Sequence, residues 1–228
     1  MVEDIVMVKA IIFDMFETLV THYSTPLYFS EQMAEDIGIT PMEFQKLWRA
    51  SDAERTLGFL TFEEIIEEIL KTYNCYSKEL FEKIVRKRIA TKQECFSKLH
   101  TDIIPMLEEI RGAGKKLALI SNCFSEEALV IRQSVFPTYF DRMYLSYEVH
   151  KKKPDTEIFQ LCARELNVTP EECLYIGDGG SQELETAAKV GMKALQAGWY
   201  LKQSGQLSQA RKETFQLLEN PMDVLGYI

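Results

Sequence analysis

The chain has 228 residues, 46% of them hydrophobic and 27% charged, enough for one sizeable core or for a core with a small accessory domain. Its 26 Lys and Arg against 35 Asp and Glu give a formal net charge of -9. That balance argues against nucleic acid or an anionic membrane as the main partner, so an anionic substrate must be held by local basic groups.

From Val8 to Phe13 the sequence is mostly apolar without alternation, the pattern of a central parallel strand buried on both faces, and it delivers Asp14 to a loop. The stretch from Thr21 to Ser97 is rich in Glu and Lys and shows no strand. Helix starts are expected at Thr40-Pro41, Thr61 and Ser77, and Thr61 to Glu64 has capping-box spacing ahead of Ile65, Ile66, Ile69 and Leu70. The Glu63, Glu64, Glu67, Glu68 cluster reads as a solvated helix face.

After Leu99 helices and strands alternate. The pattern predicts helices over Asp102–Arg111, Glu126–Val135, Asp155–Leu166 and Gln182–Val190. Strands are expected at "KKLALISN", "RMYLSY", "CLYIGD" and "MKALQA". Alternation of this kind implies an α/β fold, a Rossmann-like parallel sheet flanked by helices. Residues 1–20 and 98–228 are expected to form that core, and 21–97 an inserted all-helical domain. The tail from Lys202 is polar, with a short last helix beginning at Asn220-Pro221.

The five cysteines are odd in number and no two have metal-ligand spacing, so they read as reduced thiols. Glu3 and Asp4 stand where a signal peptide carries basic residues, and no apolar stretch approaches the roughly 18 residues of a membrane span. A cytoplasmic protein with no membrane partner is expected. The sequence leaves the oligomeric state open.

Ligands of open parallel sheets bind beyond the carboxyl ends of the strands. In this chain those ends carry Asp14, Ser121-Asn122, Lys153-Pro154 and Gly177-Asp178. Two carboxylates brought together repel unless a cation intervenes, and oxygen ligands beside a phosphate suit Mg²⁺. Lys153 and Ser121 would neutralise and hydrogen-bond the oxygens of a transferring group, the equipment of phosphoryl transfer through an aspartyl nucleophile.

Four stretches in order, "FDMFETL", "LISN", "KKKPDTEIF" and "IGDGGSQELETAAKVGM", make the chain resemble the haloacid dehalogenase-like (HAD) hydrolase superfamily, with a helical C1-type cap. The resemblance covers essentially the whole chain. It implies that Asp14 is the nucleophile, that Ser121 and Asn122 lie near the phosphoryl oxygens, and that Lys153 stabilises charge. It further implies that Asp14, Asp178 and the main-chain carbonyl of Phe16 hold Mg²⁺, and that the substrate is a small phosphorylated metabolite.

Two departures from the family pattern matter. Phosphatases of the superfamily have an aspartate two residues after the nucleophile, which protonates the leaving alcohol and then activates water. Phe16 occupies that position and can do neither. The further acid expected four or five residues after Asp178 is Glu183, long enough to reach a metal-bound water or Lys153. Glu17, where glycine is common, is a smaller deviation.

Among the histidines, His22 lies closest to Asp14 in sequence as a replacement acid. Arg49 and Arg55 are candidate anion clamps, Arg55 the preferred substrate-binding residue of the two, although pairing with nearby acids such as Asp52 and Glu54 is the more ordinary account of both. Phe16 keeps two alternatives open. One is a metal-independent 2-haloacid dehalogenase-type reaction, in which halide leaves without a proton. The other is a domain that binds a phosphorylated ligand or a partner without turnover.

Overall fold

A computed structural model describes residues 7–201 and 209–228. The start of the expected polar tail, residues 202–208, lies outside the described residues, as do residues 1–6 with Glu3 and Asp4.

Six parallel strands form one sheet in the order β3-β2-β1-β4-β5-β6. They are β1 (Ala10–Phe13), β2 (Lys116–Ser121), β3 (Arg142–Leu145), β4 (Cys173–Gly177), β5 (Lys193–Ala197) and β6 (Gln216–Leu218). Strand alternation divides the apolar residues between two faces. Ile11, Phe13, Leu117, Leu119, Leu174 and Ile176 pack on one side, beneath α6 (Ile103–Gly112) and α7 (Ser125–Gln133). Ala10, Ile12, Ala118, Ile120 and Tyr175 pack on the other, beneath α9 (Thr156–Glu165) and α10 (Glu183–Lys189). Burial on both faces explains why the strands read as continuous apolar runs.

The helical cap is inserted between β1 and α6. It consists of α1 (Ser30–Ile37), α2 (Pro41–Ala50), α3 (Asp52–Thr56), α4 (Phe62–Thr72) and α5 (Lys78–Phe96), and it has its own apolar cluster around Phe44, Phe62, Ile66 and Leu70. Thr40, Thr61 and Ser77 cap α2, α4 and α5 through their hydroxyls, as their sequence signals indicate. No helix among the described residues is long and apolar enough to cross a membrane.

Several elements depart from the sequence expectation. Helix α1 begins after Phe29, which has no capping side chain; the Gln32 amide reaches back to its N–H instead. "RMYLSY" is strand only to Leu145, and Ser146–Val149 turn into a short helix, α8. Strand β6 adds an edge of three residues within the polar tail. The last helix is a 3₁₀ helix over Pro221–Tyr227.

Cap and core meet through buried charge. Arg88 and Lys92 of α5 pair with Glu126 and Glu127 of α7 at 2.6 to 3.3 Å. Gly58 of the α3–α4 loop lies so close to the core that a Cβ there would fall 2.0 Å from the Tyr147 carbonyl oxygen. The Phe62 N–H donates to Ser125 Oγ at 2.8 Å.

Candidate active site

Because β1 lies at the centre of the sheet, Asp14 emerges between the ends of β2 and β4. Its backbone N–H is held by the Ile176 carbonyl at 2.9 Å. Lys153 Nζ contacts Asp14 Oδ1 at 2.5 Å and also pairs with Glu183 Oε2. Asp178, just past β4, accepts the Gly180 N–H at 2.8 Å. Asp14, Asp178 and Glu183 each bring one carboxylate oxygen within 4.8 Å of the others. The four side chains are all buried, so their charges act with little screening.

Electrostatics at this cluster show a surplus of negative charge. Burial and the neighbouring Glu183 push Asp14 up to about 7, against the opposing pull of Lys153. Burial and Asp14 push Asp178 up to about 6. Lys153 is raised despite its burial, because Asp14 and Glu183 flank it. Three carboxylates around one ammonium are a donor set of hard oxygens short of positive charge, which fits Mg²⁺. Both oxygens of Glu183 are engaged: Oε1 accepts the Gly179 N–H at 3.1 Å, and Oε2 meets Lys153 and the Tyr175 hydroxyl. Glu183 is thus turned toward Lys153, and Asp14 and Asp178 complete the acidic cluster.

Position 16 is enclosed by aromatic and cationic groups. The Phe16 ring stacks on His22 with centroids 4.5 Å apart, sets its edge against Phe96, and has Lys92 Nζ 5.2 Å from its centroid. His22 is locked behind that ring, with Nδ1 on Glu17 at 3.2 Å and Nε2 on Lys92 at 2.6 Å. Burial and then Lys92 lower it to about 4, which keeps it neutral at ordinary pH. It does not supply the missing acid. Glu17 adopts a positive φ of 59°, and its carboxylate holds that turn by accepting Thr21 Oγ1 at 2.6 Å and the His22 N–H at 3.0 Å.

Two expected substrate contacts are placed otherwise. Asn122 lines the cavity, but its amide clamps the Lys153 main chain, with Nδ2 donating to the carbonyl and Oδ1 accepting the N–H, both at 2.8 Å. It holds the lysine loop in place. Arg55 is fully buried, its guanidinium carbon 3.6 Å from the Trp48 ring centroid and 4.0 Å from that of Phe124. It donates to Ser51 Oγ and to the Trp48 carbonyl, with Asp52 at 3.8 Å. The sequence signal for an anion clamp was a cationic cap residue; the structure stacks it between Trp48 and Phe124 and leaves its Nη1 buried without a hydrogen-bond partner among the described residues. Ser121 ends β2 fully buried, with its hydroxyl 3.4 Å from the Asn122 carbonyl.

A cavity of about 510 Å³ opens beside the cluster, walled by Phe16, Asn122, Phe124, Lys152, Lys153 and Ser181 from the core and by Asp52 and Thr56 from the cap.

Residues 8–191 match the family model described as haloacid dehalogenase-like hydrolase. The chain belongs to this family. Among HAD relatives it is 26% identical over 204 residues to "Glyceraldehyde 3-phosphate phosphatase" of Methanopyrus kandleri, covering 82% of each chain. It is 31% identical over 195 residues to "Phosphorylated carbohydrates phosphatase" of Thermotoga maritima, covering 82% of this chain and 83% of that one. Its fold is similar to that of a HAD enzyme from Bacteroides thetaiotaomicron solved with magnesium and inorganic phosphate, with a TM-score of 0.66, 18% identity, and coverage of 83% and 94%.

Three HAD-site residues escaped the sequence reading. Thr18 Oγ1 donates to Asp14 Oδ2 at 3.3 Å, and Trp199 Nε1 fixes the Thr18 carbonyl at 2.7 Å. Tyr175 reads in sequence as a buried strand residue, and nothing there signals where its hydroxyl goes. Gly177 stands in the sequence only at a strand end, before Asp178. In the structure it makes room for Glu183, whose Oε1 would lie 2.0 Å from a Cβ at that position.

Proposed function

We propose that this HAD hydrolase is a Mg²⁺-dependent phosphohydrolase that moves the phosphoryl group of a small phosphorylated metabolite onto Asp14 and then to water. The observation that carries the reading is the convergence of Asp14, Asp178 and Lys153 at the carboxyl edge of the sheet, beside an open cavity. The magnesium and phosphate bound to the Bacteroides enzyme support it.

In the first step Asp14 Oδ2, whose contact is the 3.3 Å Thr18 hydroxyl, attacks phosphorus while Lys153 holds Oδ1. The bond from phosphorus to the leaving oxygen breaks, and that oxygen keeps the electron pair. In the second step water adds to phosphorus, its proton passes to solvent, and the bond to Asp14 breaks, releasing phosphate. When bound, Mg²⁺ neutralises charge on the transferring group; Asp14, Asp178 and the Phe16 carbonyl would hold it. Ser121, at the end of β2, is assigned to a phosphoryl oxygen, and Asn122 and Glu183 keep Lys153 in place.

Phe16 donates no proton, so the leaving group departs as its anion. This favours aryl and acyl phosphates over alkyl phosphates, the class to which glyceraldehyde 3-phosphate belongs. The test is hydrolysis of p-nitrophenyl phosphate with and without Mg²⁺. Activity that requires the metal and disappears in Asp14→Asn is expected; turnover indifferent to either change overturns the proposal.

Phe16 also favours a second reading, displacement of halide from carbon by Asp14, since halide needs no proton. Chloride release from 2-chloropropionate in the presence of EDTA distinguishes it. A domain that holds a phosphorylated ligand without turnover would bind beryllium fluoride with Mg²⁺ yet hydrolyse nothing across a broad phosphate panel.

A further inference from the structure

We infer that Tyr175 is a positioning residue for Lys153, acting through Glu183; the inference rests on the catalytic role proposed for Lys153. Tyr175 lies on β4 with no exposed surface and is not among the residues that wall the cavity. Its ring packs against Phe159 with centroids 5.2 Å apart, which fixes where the hydroxyl points. That hydroxyl donates to Glu183 Oε2 at 2.9 Å and stands 3.4 Å from Lys153 Nζ.

The Glu183 carboxylate is therefore held from three sides. The Gly179 N–H takes Oε1, the Tyr175 hydroxyl and Lys153 take Oε2, and the missing Cβ of Gly177 provides the seat. Fixing both oxygens matters because a glutamate at this position has a freely rotating end unless both are occupied.

The ammonium of Lys153 has three hydrogens and three oxygen neighbours: Asp14, Glu183 and Tyr175. Because Tyr175 spends its hydrogen on Glu183, a lone pair is left facing Lys153, and 3.4 Å makes this the longest of the three contacts. A phosphoryl oxygen arriving at Asp14 can take that third hydrogen without breaking the pairs with Asp14 and Glu183. Tyr175 thus keeps one ammonium hydrogen weakly committed and holds the carboxylate that aims the other two.

The test is Tyr175→Phe, which keeps the ring and its contact with Phe159. With p-nitrophenyl phosphate and Mg²⁺, kcat is expected to fall about tenfold with KM within about twofold, the size of one charge-assisted hydrogen bond lost at the reacting centre. In parallel, NMR of ¹⁵N-labelled lysine should show a slowly exchanging ammonium, assigned to Lys153 by its loss in Lys153→Met. That signal should shift or broaden in Tyr175→Phe. An unchanged signal overturns the proposal whatever the rates show, as does a wild type whose Lys153 gives no protected signal. Absence of Asp14-dependent turnover in the wild type counts against the phosphohydrolase reading alone, and the NMR comparison then still decides the role of Tyr175.

Discussion

Restoring a carboxyl at position 16 with Phe16→Asp tests the central chemical claim about this site. General acid-base assistance is worth about 10²- to 10⁴-fold, but the structure sets where in that range the variant falls. Lys92 Nζ lies 5.2 Å from the centre of the ring to be replaced. At an effective dielectric of about 20, a carboxylate at that distance gains at most about 3 kcal/mol from the ammonium, at most about two pKa units downward, because Glu127 already neutralises part of that charge from 2.6 Å. The new acid is therefore ionised at neutral pH and must regain its proton before it can donate one, which holds the gain at or below the lower bound of about 10²-fold and makes it larger at pH 5.5 than at pH 8. The assay is kcat/KM for a series of phosphates from p-nitrophenyl to simple alkyl. The wild type should lose activity steeply as the leaving group becomes more basic, and Phe16→Asp should flatten that dependence. Equal wild-type rates on aryl and alkyl phosphates, or an alkyl rate unchanged in a folded, Mg²⁺-binding Phe16→Asp, refute the reasoning.

Gly177→Ala places a methyl 2.0 Å from Glu183 Oε1, so overpacking should cost about 1–3 kcal/mol in urea unfolding and aryl-phosphate turnover should fall more than about tenfold. Adding Glu183→Ala should relieve the clash without restoring turnover, because Lys153, Tyr175 and the Gly179 N–H then lose their shared partner; recovery of turnover would show that Glu183 has no part in the reaction. Arg55→Ala should lower stability by about 2–4 kcal/mol, from its stacking and hydrogen bonds, while KM stays within about twofold; a large rise in KM at unchanged stability would return Arg55 to substrate binding. His22, folded at about 4 against an ordinary 6.5, should make stability fall with acid. The unfolded chain takes up the proton first, so about 2.5 kcal/mol is lost between pH 7.5 and pH 4.5. His22→Asn should lack that part of the slope, and identical slopes in variant and wild type would refute the assignment.

What the sequence revealed, and what it hid, follows the range of the interactions involved. Strands β1, β2, β4 and β5 were legible because burial on both faces demands unbroken apolar runs, and three of the cap helices were legible because Thr40, Thr61 and Ser77 announce them locally. Helix α1 was missed for the same local reason, since Phe29 carries no capping group, and β6 because three edge residues in a polar tail have no period. Site residues divide similarly. Asp14, Lys153 and Asp178 sit at strand ends or in short motifs, and the fold brings them together. Arg55 was misplaced because its fate depends on Trp48 and on Phe124, which is far away in the chain.

The same division explains position 16. Its chemical deficit is visible in the sequence, where a phenyl ring stands in place of an acid, but what surrounds the ring is not. The structure fills the space behind it with His22, Lys92 and Phe96, drawn from the turn after Asp14 and from the end of α5. Lys92 is in turn paired with Glu127 across the junction of cap and core. Phe16 is thus part of the packing that seats the cap as well as a vacancy in the proton-transfer machinery. Exchanging it for aspartate changes both at once, and the separation of rate from stability in that single variant is what distinguishes a site missing one acid from a site rebuilt around an aromatic ring.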